Sequence, residues 1–212
     1  KQVYKIGDNL SFEEGAMAEP VACCLHGLDL TGVQAGDTVM IIGGGTIGLI
    51  MLQLAKLSGA AKLIMVEPVK IKRDMAKKFG ADITIDPFNQ SVRAVLDSYA
   101  IRDVNAVIEC VGQKGTMQEA IRYVGKGGTA MLFGLTHPEC EIPLLPFDVF
   151  RREITIKASF INPYTQSRAV SLLQSGRINV KDLITEVVSL DEITNVFEDK
   201  SYRTKGKIII KP

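Results

Sequence analysis

One stretch of the sequence decides the fold: Val39-Met-Ile-Ile-Gly43-Gly-Gly-Thr-Ile-Gly48. Its uninterrupted apolar residues predict a buried β-strand, and its glycines fit the pattern G-x-G-x-x-G at the point where a strand would give way to a helix. Gly43 permits a tight turn, Gly45 has no Cβ to keep a pyrophosphate from the backbone, and Gly48 lets the helix pack closely against the sheet. The stretch therefore predicts a dinucleotide-binding turn.

The residues after the turn strengthen this prediction. A helix is predicted from Thr46 to Ser58, so the free N–H groups of Thr46 and Ile47 and the positive end of the helix dipole would face two phosphates. Glu67 follows the next predicted strand, near the spacing of about 20 residues expected for the acid that accepts from the adenosine ribose hydroxyls. A carboxylate there favours NAD, because it would repel the 2′-phosphate of NADP. The alternatives are a glycine-rich turn without a ligand and a solvated Glu67.

Strands and helices alternate from Thr38 to about Gln174. The predicted strands are unbroken apolar runs that lack the polar alternation of a half-exposed sheet, and each is followed by a helical pattern. Such an order is typical of a parallel sheet covered on both faces. The sequence therefore predicts an α/β Rossmann fold, with a doubly wound six-stranded parallel sheet in the strand order 3-2-1-4-5-6.

The composition is that of a globular protein, with 46% hydrophobic and 23% charged residues and 25 Lys+Arg against 24 Asp+Glu. Without a basic stripe or a polybasic arm, neither nucleic acid nor a membrane surface is an expected partner. No apolar run approaches the roughly 20 residues that a membrane helix needs. Four cysteines without a CxxC pair suit reduced thiols, so a cytoplasmic location is expected.

Ordered blocks along the whole chain resemble one family, the zinc-dependent medium-chain alcohol and polyol dehydrogenases. Within it, the sorbitol, galactitol-phosphate and threonine dehydrogenase branch is the most similar. The blocks are Gly15-Ala-Met-Ala-Glu-Pro20, Leu25-His-Gly27, Ile42-Gly-Gly-Gly-Thr-Ile-Gly48, Lys78-Phe-Gly-Ala-Asp82, Val107-Ile-Glu-Cys-Val-Gly112, Gly127-Gly-Thr-Ala-Met-Leu-Phe-Gly134, Leu172-Leu-Gln-Ser-Gly176, Leu183-Ile-Thr185 and Gly206-Lys207.

The resemblance implies an oxidoreductase that passes a hydride from a secondary alcohol, such as a sugar alcohol, to NAD, with zinc in the full-length protein. Glu19 matches a catalytic-zinc ligand or a carboxylate that touches the zinc-bound water. The resemblance also assigns cofactor contacts to Lys72 at the adenosine ribose, Val111 and Gly112 under the cofactor, Phe133, Gly134, Leu135, Ser159 and Ile161 around the nicotinamide, and Lys207 near the pyrophosphate.

The front of the chain departs from the family. The family's N-terminal catalytic domain, which supplies the other zinc ligands, does not precede Lys1. We therefore expect residues 1–20 to be a segment of that domain, residues 21–183 to form the NAD-binding Rossmann domain, and residues 184–212 to return to the catalytic domain. On this interpretation the chain by itself is inactive.

A metal site within the chain is the alternative for the same residues. Glu19, Cys23 and His26 are spaced i, i+4 and i+7, so they would share one side of a continuous helix. Against this, Pro20 is predicted at the first helical position, which would leave Glu19 at the N-cap. Packing in the core or between domains is the favoured interpretation of Cys23, Cys24 and His26.

Two other functions stay open at this point: a zinc-independent NADPH quinone reductase-like enzyme, and a non-catalytic NAD-sensing module. Glu67 and the Glu19-Pro20 pair count against the first of these. A homodimer or homotetramer is also expected, because the predicted sixth strand, Ile154 to Phe160, would be an outer strand with apolar side chains. Related enzymes join their subunits at that edge.

Overall fold

The computed structural model describes residues 3–199, 201–202 and 205–212. A six-stranded parallel sheet has the order β3-β2-β1-β4-β5-β6, as the sequence predicts. Its strands are β1 (Thr38–Ile42), β2 (Lys62–Val66), β3 (Ile83–Ile85), β4 (Val104–Glu109), β5 (Val124–Leu132) and β6 (Thr155–Ala158). A second, two-stranded parallel sheet pairs β7 (Ile184–Ser189) with β8 (Lys207–Lys211).

The helices are α1 (Phe12–Gly15), α2 (Ala18–Thr31), α3 (Thr46–Leu57), α4 (Lys70–Phe79), α5 (Val92–Ser98), α6 (Lys114–Tyr123), α7 (Pro146–Arg152), α8 (Gln166–Gln174) and α9 (Ile193–Glu198). None of those in the described part of the chain has both the length and the apolar composition that crossing a membrane requires.

Two hydrophobic cores lie on opposite faces of the sheet. Val39 and Ile41 of β1 belong to the core shared with α2, α3, α4 and α8, whereas Met40 and Ile42 belong to the core shared with α5 and α6. This division follows from the period of two in a β-strand, where successive side chains point to opposite faces. Because both faces are covered, the strand is apolar at each of these four positions, which is the pattern seen in the sequence.

The parallel register brings the carboxyl ends of three strands together. Ile42 at the end of β1 pairs with Val66 of β2 on one side and with Glu109 of β4 on the other. The strand order reverses at this point, because β2 and β4 lie on opposite sides of β1 in the sheet. In open α/β sheets, ligands bind outside the carboxyl ends of the strands at such a crevice.

The start of α2 differs from the sequence prediction. Pro20 does not open the helix and Glu19 is not its N-cap: Met17 is the N-cap, and both residues lie in the first turn. Proline is tolerated there because the first N–H groups of a helix have no intrahelical acceptor. Glu19 therefore projects from a regular helical turn, one turn before Cys23.

The C-terminal segment forms its own small sheet, so the chain after Leu183 leaves the Rossmann sheet. Ser189 and Glu192 form a capping box there, with the Glu192 carboxylate accepting from both the backbone N–H and the hydroxyl of Ser189. The predicted division at residues 183/184 falls at the first residue of β7, whereas the division at 20/21 falls inside α2. Whether the two end segments belong to another domain stays a prediction.

Candidate cofactor site

The glycine turn between β1 and α3 needs two of its glycines to form. Gly43 has a φ of +101°, a conformation that residues with a Cβ rarely adopt, and its N–H donates to the carbonyl of Val66. A Cβ at Gly48 would lie 1.8 Å from the carbonyl oxygen of Gly43. Helix α3 can therefore approach β1 this closely only because residue 48 is glycine.

Gly45 is different, because nothing lies within 4 Å of the position that its Cβ would occupy. It is the N-cap of α3, and no side chain among the described residues caps this helix. The first N–H groups of α3, at Thr46 and Ile47, therefore open onto free space at the positive end of the helix dipole. A space that a Cβ would fill, beside helix N–H groups, fits the pyrophosphate of a dinucleotide.

Glu67 is held against the same turn. Its Oε2 accepts from the N–H of Gly44 at 2.6 Å, and its Oε1 accepts from the N–H of Val69 at 2.8 Å. The residue is 5% exposed, so the alternative of a solvated side chain at a strand end is wrong. Each carboxylate oxygen has two lone pairs, so Glu67 can still accept one further hydrogen bond at each oxygen.

A cleft of about 690 Å³ opens beside this carboxylate at the carboxyl ends of the strands. The cleft is lined by Pro68 and Val69 after β2, by residues 87–88 and 90–93 after β3, and by residues along α6 as far as Tyr123. Among the cofactor residues predicted from the sequence, those that line the cleft are Gly43, Glu67, Lys72 and Val111.

A buried carboxylate that the sequence analysis did not single out organises the loop after β4. Glu109 is 0% exposed, and its Oε1 accepts from the N–H groups of Val111 and Gly112 and from the hydroxyl of Thr116. Its distances to these donors are 2.8, 2.9 and 2.7 Å. The signal in the sequence was an acid at the end of an otherwise apolar strand, three residues before a glycine.

The loops after β4 and β5 lie in close contact. The carbonyl of Glu109 accepts from the N–H groups of Phe133 and Gly134. A Cβ at Gly134 would lie 2.2 Å from the nitrogen of Gly112 and 2.6 Å from Oε2 of Glu109, an oxygen with no hydrogen-bond partner among the described residues. The backbones of Gly112 and Gly134 are thus in contact, and both residues are predicted from the resemblance to contact the cofactor.

The remaining predicted nicotinamide contacts follow β5 and β6, and a Cβ at Gly112 would lie 2.3 Å from the carbonyl oxygen of Leu135. Leu135 is 94% exposed after β5, and Ile161, which has a φ of +60°, is also exposed. The Ser159 hydroxyl, beyond β6, is buried without a hydrogen-bond partner among the described residues. Lys207 lies in β8, paired with Ile184, and is not one of the residues that line the cleft.

Glu19 lies exposed in the first turn of α2, where its Oε1 accepts from the Cys23 thiol at 3.1 Å. Burial, together with the nearby Glu19, raises the pKa of Cys23 to about 12. No group of three or more His, Cys, Asp and Glu side chains within the described ranges is arranged to hold a metal ion. The alternative of a site formed by Glu19, Cys23 and His26 therefore has no support in the geometry.

Two of the cysteines, Cys24 and Cys110, contact the core. All four are free thiols. Cys24 is fully buried, with its sulfur 3.8 Å from the carbonyl oxygen of Ile47 in the first turn of α3, which confirms its expected role in packing. Cys110 packs against the same core.

The fold and the glycine turn define a Rossmann-type domain, and comparison with known proteins identifies its family. The profile of the zinc-binding dehydrogenase family matches residues 46–175, so the chain belongs to this family. It is 34% identical over 211 residues to the sorbitol dehydrogenase of Gallus gallus, covering 98% of this chain and 59% of that protein. It is 32% identical over 210 residues to D-arabinitol dehydrogenase 1 of Uromyces fabae, covering 96% of this chain and 60% of that protein.

Solved structures of other dehydrogenases have the same fold. A zinc-binding dehydrogenase from Sinorhizobium meliloti 1021 bound to NADP superposes with a TM-score of 0.93 at 36% identity, over 99% of this chain and 62% of that one. The 2R,3R-butanediol dehydrogenase of Bacillus subtilis gives a TM-score of 0.87 at 26% identity, over 99% of this chain and 60% of that one. The chain thus spans about three fifths of the length of the relatives that it matches.

Proposed function

We propose that this chain is the NAD-binding part of a zinc-dependent polyol dehydrogenase that transfers a hydride from a secondary alcohol to NAD. The observation that carries the proposal is the turn at Gly43–Gly48, where open space and free helix N–H groups lie beside the buried carboxylate of Glu67. A sugar alcohol is the proposed substrate class, because relatives with about a third of their residues identical carry the names sorbitol dehydrogenase and D-arabinitol dehydrogenase.

In this proposal the chain's own residues bind and orient the cofactor. The N–H groups of Thr46 and Ile47 bind the pyrophosphate, and Glu67 and Lys72 bind the adenosine ribose. The loops held by Glu109 form the floor under the dinucleotide. The proposed contacts around the nicotinamide are Phe133, Gly134, Leu135, Ser159 and Ile161, and Lys207 is proposed to reach the pyrophosphate.

Zinc, when bound in the whole protein, polarises the alcohol oxygen and lowers its pKa. Glu19 is the residue of this chain proposed to face the metal, as a ligand or through its bound water. Because a catalytic zinc usually has three protein ligands, Glu19 would need partners from outside the described residues. We further propose a cytoplasmic location, which the four free thiols support.

Titration calorimetry with NAD and NADP tests the cofactor assignment. We expect NAD to bind about 30-fold more tightly, because the 2′-phosphate of NADP would lie against the Glu67 carboxylate at a cost of about 2 kcal/mol. Glu67→Gln should narrow this difference, and Glu119→Gln, at the α6 wall of the same cleft, serves as the control. Equal affinities, or tighter binding of NADP, would contradict the assignment to NAD.

The two alternatives give different results in the same experiments. A zinc-independent quinone reductase-like enzyme would prefer NADPH. An NAD-sensing module would bind NAD, but the whole protein would show neither stoichiometric zinc nor oxidation of polyols.

A further inference from the structure

A second charged residue lies next to Glu67 but does not itself line the cleft. Arg73, in the first turn of α4, is turned back toward the end of β2, where its Nη1 donates to the carbonyl oxygens of Glu67 at 2.8 Å and Pro68 at 2.6 Å. The same nitrogen lies 3.2 Å from Oδ2 of Asp86, and the two side chains are only 17% and 14% exposed. One nitrogen of this guanidinium, Nη1, therefore contacts three protein oxygens at the ends of β2 and β3.

Asp86 belongs to the neighbouring segment after β3, which adjoins the end of β2 because the N–H of Glu67 donates to the carbonyl of Ile85. It follows β3, and its carboxylate accepts from the N–H of Phe88 at 3.1 Å and from the side-chain amide of Asn89 at 3.1 Å. The hydrogen bonds from Asn89 and Phe88, together with the charge of Arg73, lower the pKa of Asp86. Pro87 and Phe88 line the cleft directly. The Arg73–Asp86 ion pair thus connects two neighbouring segments, after β2 and after β3, which both line the part of the cleft proposed to hold the adenosine end of a dinucleotide.

The position of this ion pair matters for cofactor choice. A 2′-phosphate at the ribose adds up to two negative charges and needs a cation, for which arginine is the preferred partner because it forms two parallel hydrogen bonds. Arg73 touches the backbone of Glu67, the residue proposed to bind that ribose. With its charge paired to Asp86, Arg73 offers a phosphate little net attraction.

We propose that the Arg73–Asp86 ion pair determines cofactor specificity, because it withholds Arg73 from a ribose 2′-phosphate and holds Glu67 at the cleft for a ribose 2′-hydroxyl. The inference rests on the proposed function. It assigns a positioning role to two residues that neither the glycine pattern nor the resemblance selects.

The decisive variant is Asp86→Asn, which removes the negative charge while keeping a side-chain oxygen that can accept from the loop. Asp74→Asn is the matched control, since it removes the same charge from an exposed pair with Lys70 on the same helix as Arg73. Calorimetric affinities for NAD and NADP are the readout. We expect the ratio of NADP to NAD affinity to rise about tenfold in Asp86→Asn, because Arg73 would then be free to form one charge-assisted pair with the 2′-phosphate. In Asp74→Asn the ratio should change less than twofold.

Removing Arg73 separates its role from a general loosening of the cleft. Arg73→Leu should weaken NAD binding without any gain for NADP, and in the double variant Arg73→Leu/Asp86→Asn the gain for NADP should disappear. If the ion pair had a merely structural role, Asp86→Asn would instead weaken the binding of NAD and of NADP equally. Thermal unfolding of every variant establishes that it is folded, and Asp86→Ser replaces Asp86→Asn if the latter does not fold.

The proposal is overturned if Asp86→Asn and Asp74→Asn change the ratio equally, or if the gain for NADP persists without Arg73. Both outcomes leave the proposed function intact, provided that the unsubstituted chain binds NAD. If the unsubstituted chain binds neither dinucleotide, the proposed function itself fails, and this inference fails with it.

Discussion

Gly45 and Gly48 are three residues apart, yet each is glycine for a different physical reason. Gly48 is required by the protein itself, since a Cβ there would overlap the Gly43 carbonyl. Gly45 has open space around it and an extended backbone that any residue can adopt, with a φ of −72° and a ψ of −175°. The fold does not demand a glycine at residue 45, which supports the proposal that the pyrophosphate of a ligand occupies the open space beside it.

We therefore expect Gly45→Val to leave the chain folded and to weaken NAD binding at least 50-fold, because the valine side chain would occupy the place of the pyrophosphate. Calorimetry measures the affinity, and thermal unfolding measures the stability. Gly48→Ala provides the contrast, since it should lower the unfolding temperature. NAD affinity in Gly45→Val within threefold of the unsubstituted chain would contradict the placement of the pyrophosphate.

Glu109 allows a second prediction for a single residue. Glu109→Ala leaves the N–H groups of Val111 and Gly112 without their acceptor in a buried loop, so we expect a loss of about 2–4 kcal/mol in the free energy of unfolding. Glu109→Gln retains an acceptor oxygen for the same donors and should lose less. Urea denaturation of both variants measures the difference. If Glu109→Ala lowers the free energy of unfolding no more than Glu109→Gln does, the side chain of Glu109 does not hold the loop after β4.

Among the elements, β6 is the outer strand of the sheet beside β5, and three of its four residues are exposed. An outer strand offers a row of unpaired backbone N–H and C=O groups to another chain. Phe160, just beyond the strand, is 81% exposed. These features support the proposal that the protein forms a homodimer or homotetramer through β6.

Sedimentation velocity at tens of micromolar tests this proposal. We expect a dimer or larger assembly for the unsubstituted chain and a monomer for Ala158→Asp, because the new charge would lie at the paired edge and lose its hydration there. Ser171→Asp places the same charge on the exposed part of α8 and should leave the assembly unchanged. A monomeric unsubstituted chain would contradict association through β6.

For the whole molecule, the prediction concerns zinc. We expect the 212-residue chain to bind NAD, but neither to retain stoichiometric zinc after gel filtration nor to oxidise polyols, because one carboxylate does not replace a three-ligand set. Atomic absorption and NAD-linked turnover are the measurements. Stoichiometric zinc that is lost in Glu19→Ala would contradict this expectation, and would favour a site that includes Glu19, Cys23 and His26.

Local sequence determined the architecture of this protein. The apolar runs that become β1, β2 and β4 predict a parallel sheet buried on both faces, and the glycines at 43, 45 and 48 predict the turn where β1 gives way to α3. These predictions succeeded because burial on two faces and backbone conformation at a turn depend on residues that are adjacent in the chain. The family resemblance is carried by the same local blocks.

Only the tertiary structure decided how the acids at the strand ends are used. Glu67 contacts Gly44, Glu109 joins the loops after β4 and β5, and Arg73 pairs with Asp86 of the segment after β3. Each of these contacts joins separate strands or loops. The start of α2 likewise placed Glu19 within a helical turn. A carboxylate has acceptors on both oxygens and a flexible stem, so its partners depend on which N–H groups the folded sheet brings within about 3 Å, and no spacing along the chain specifies them.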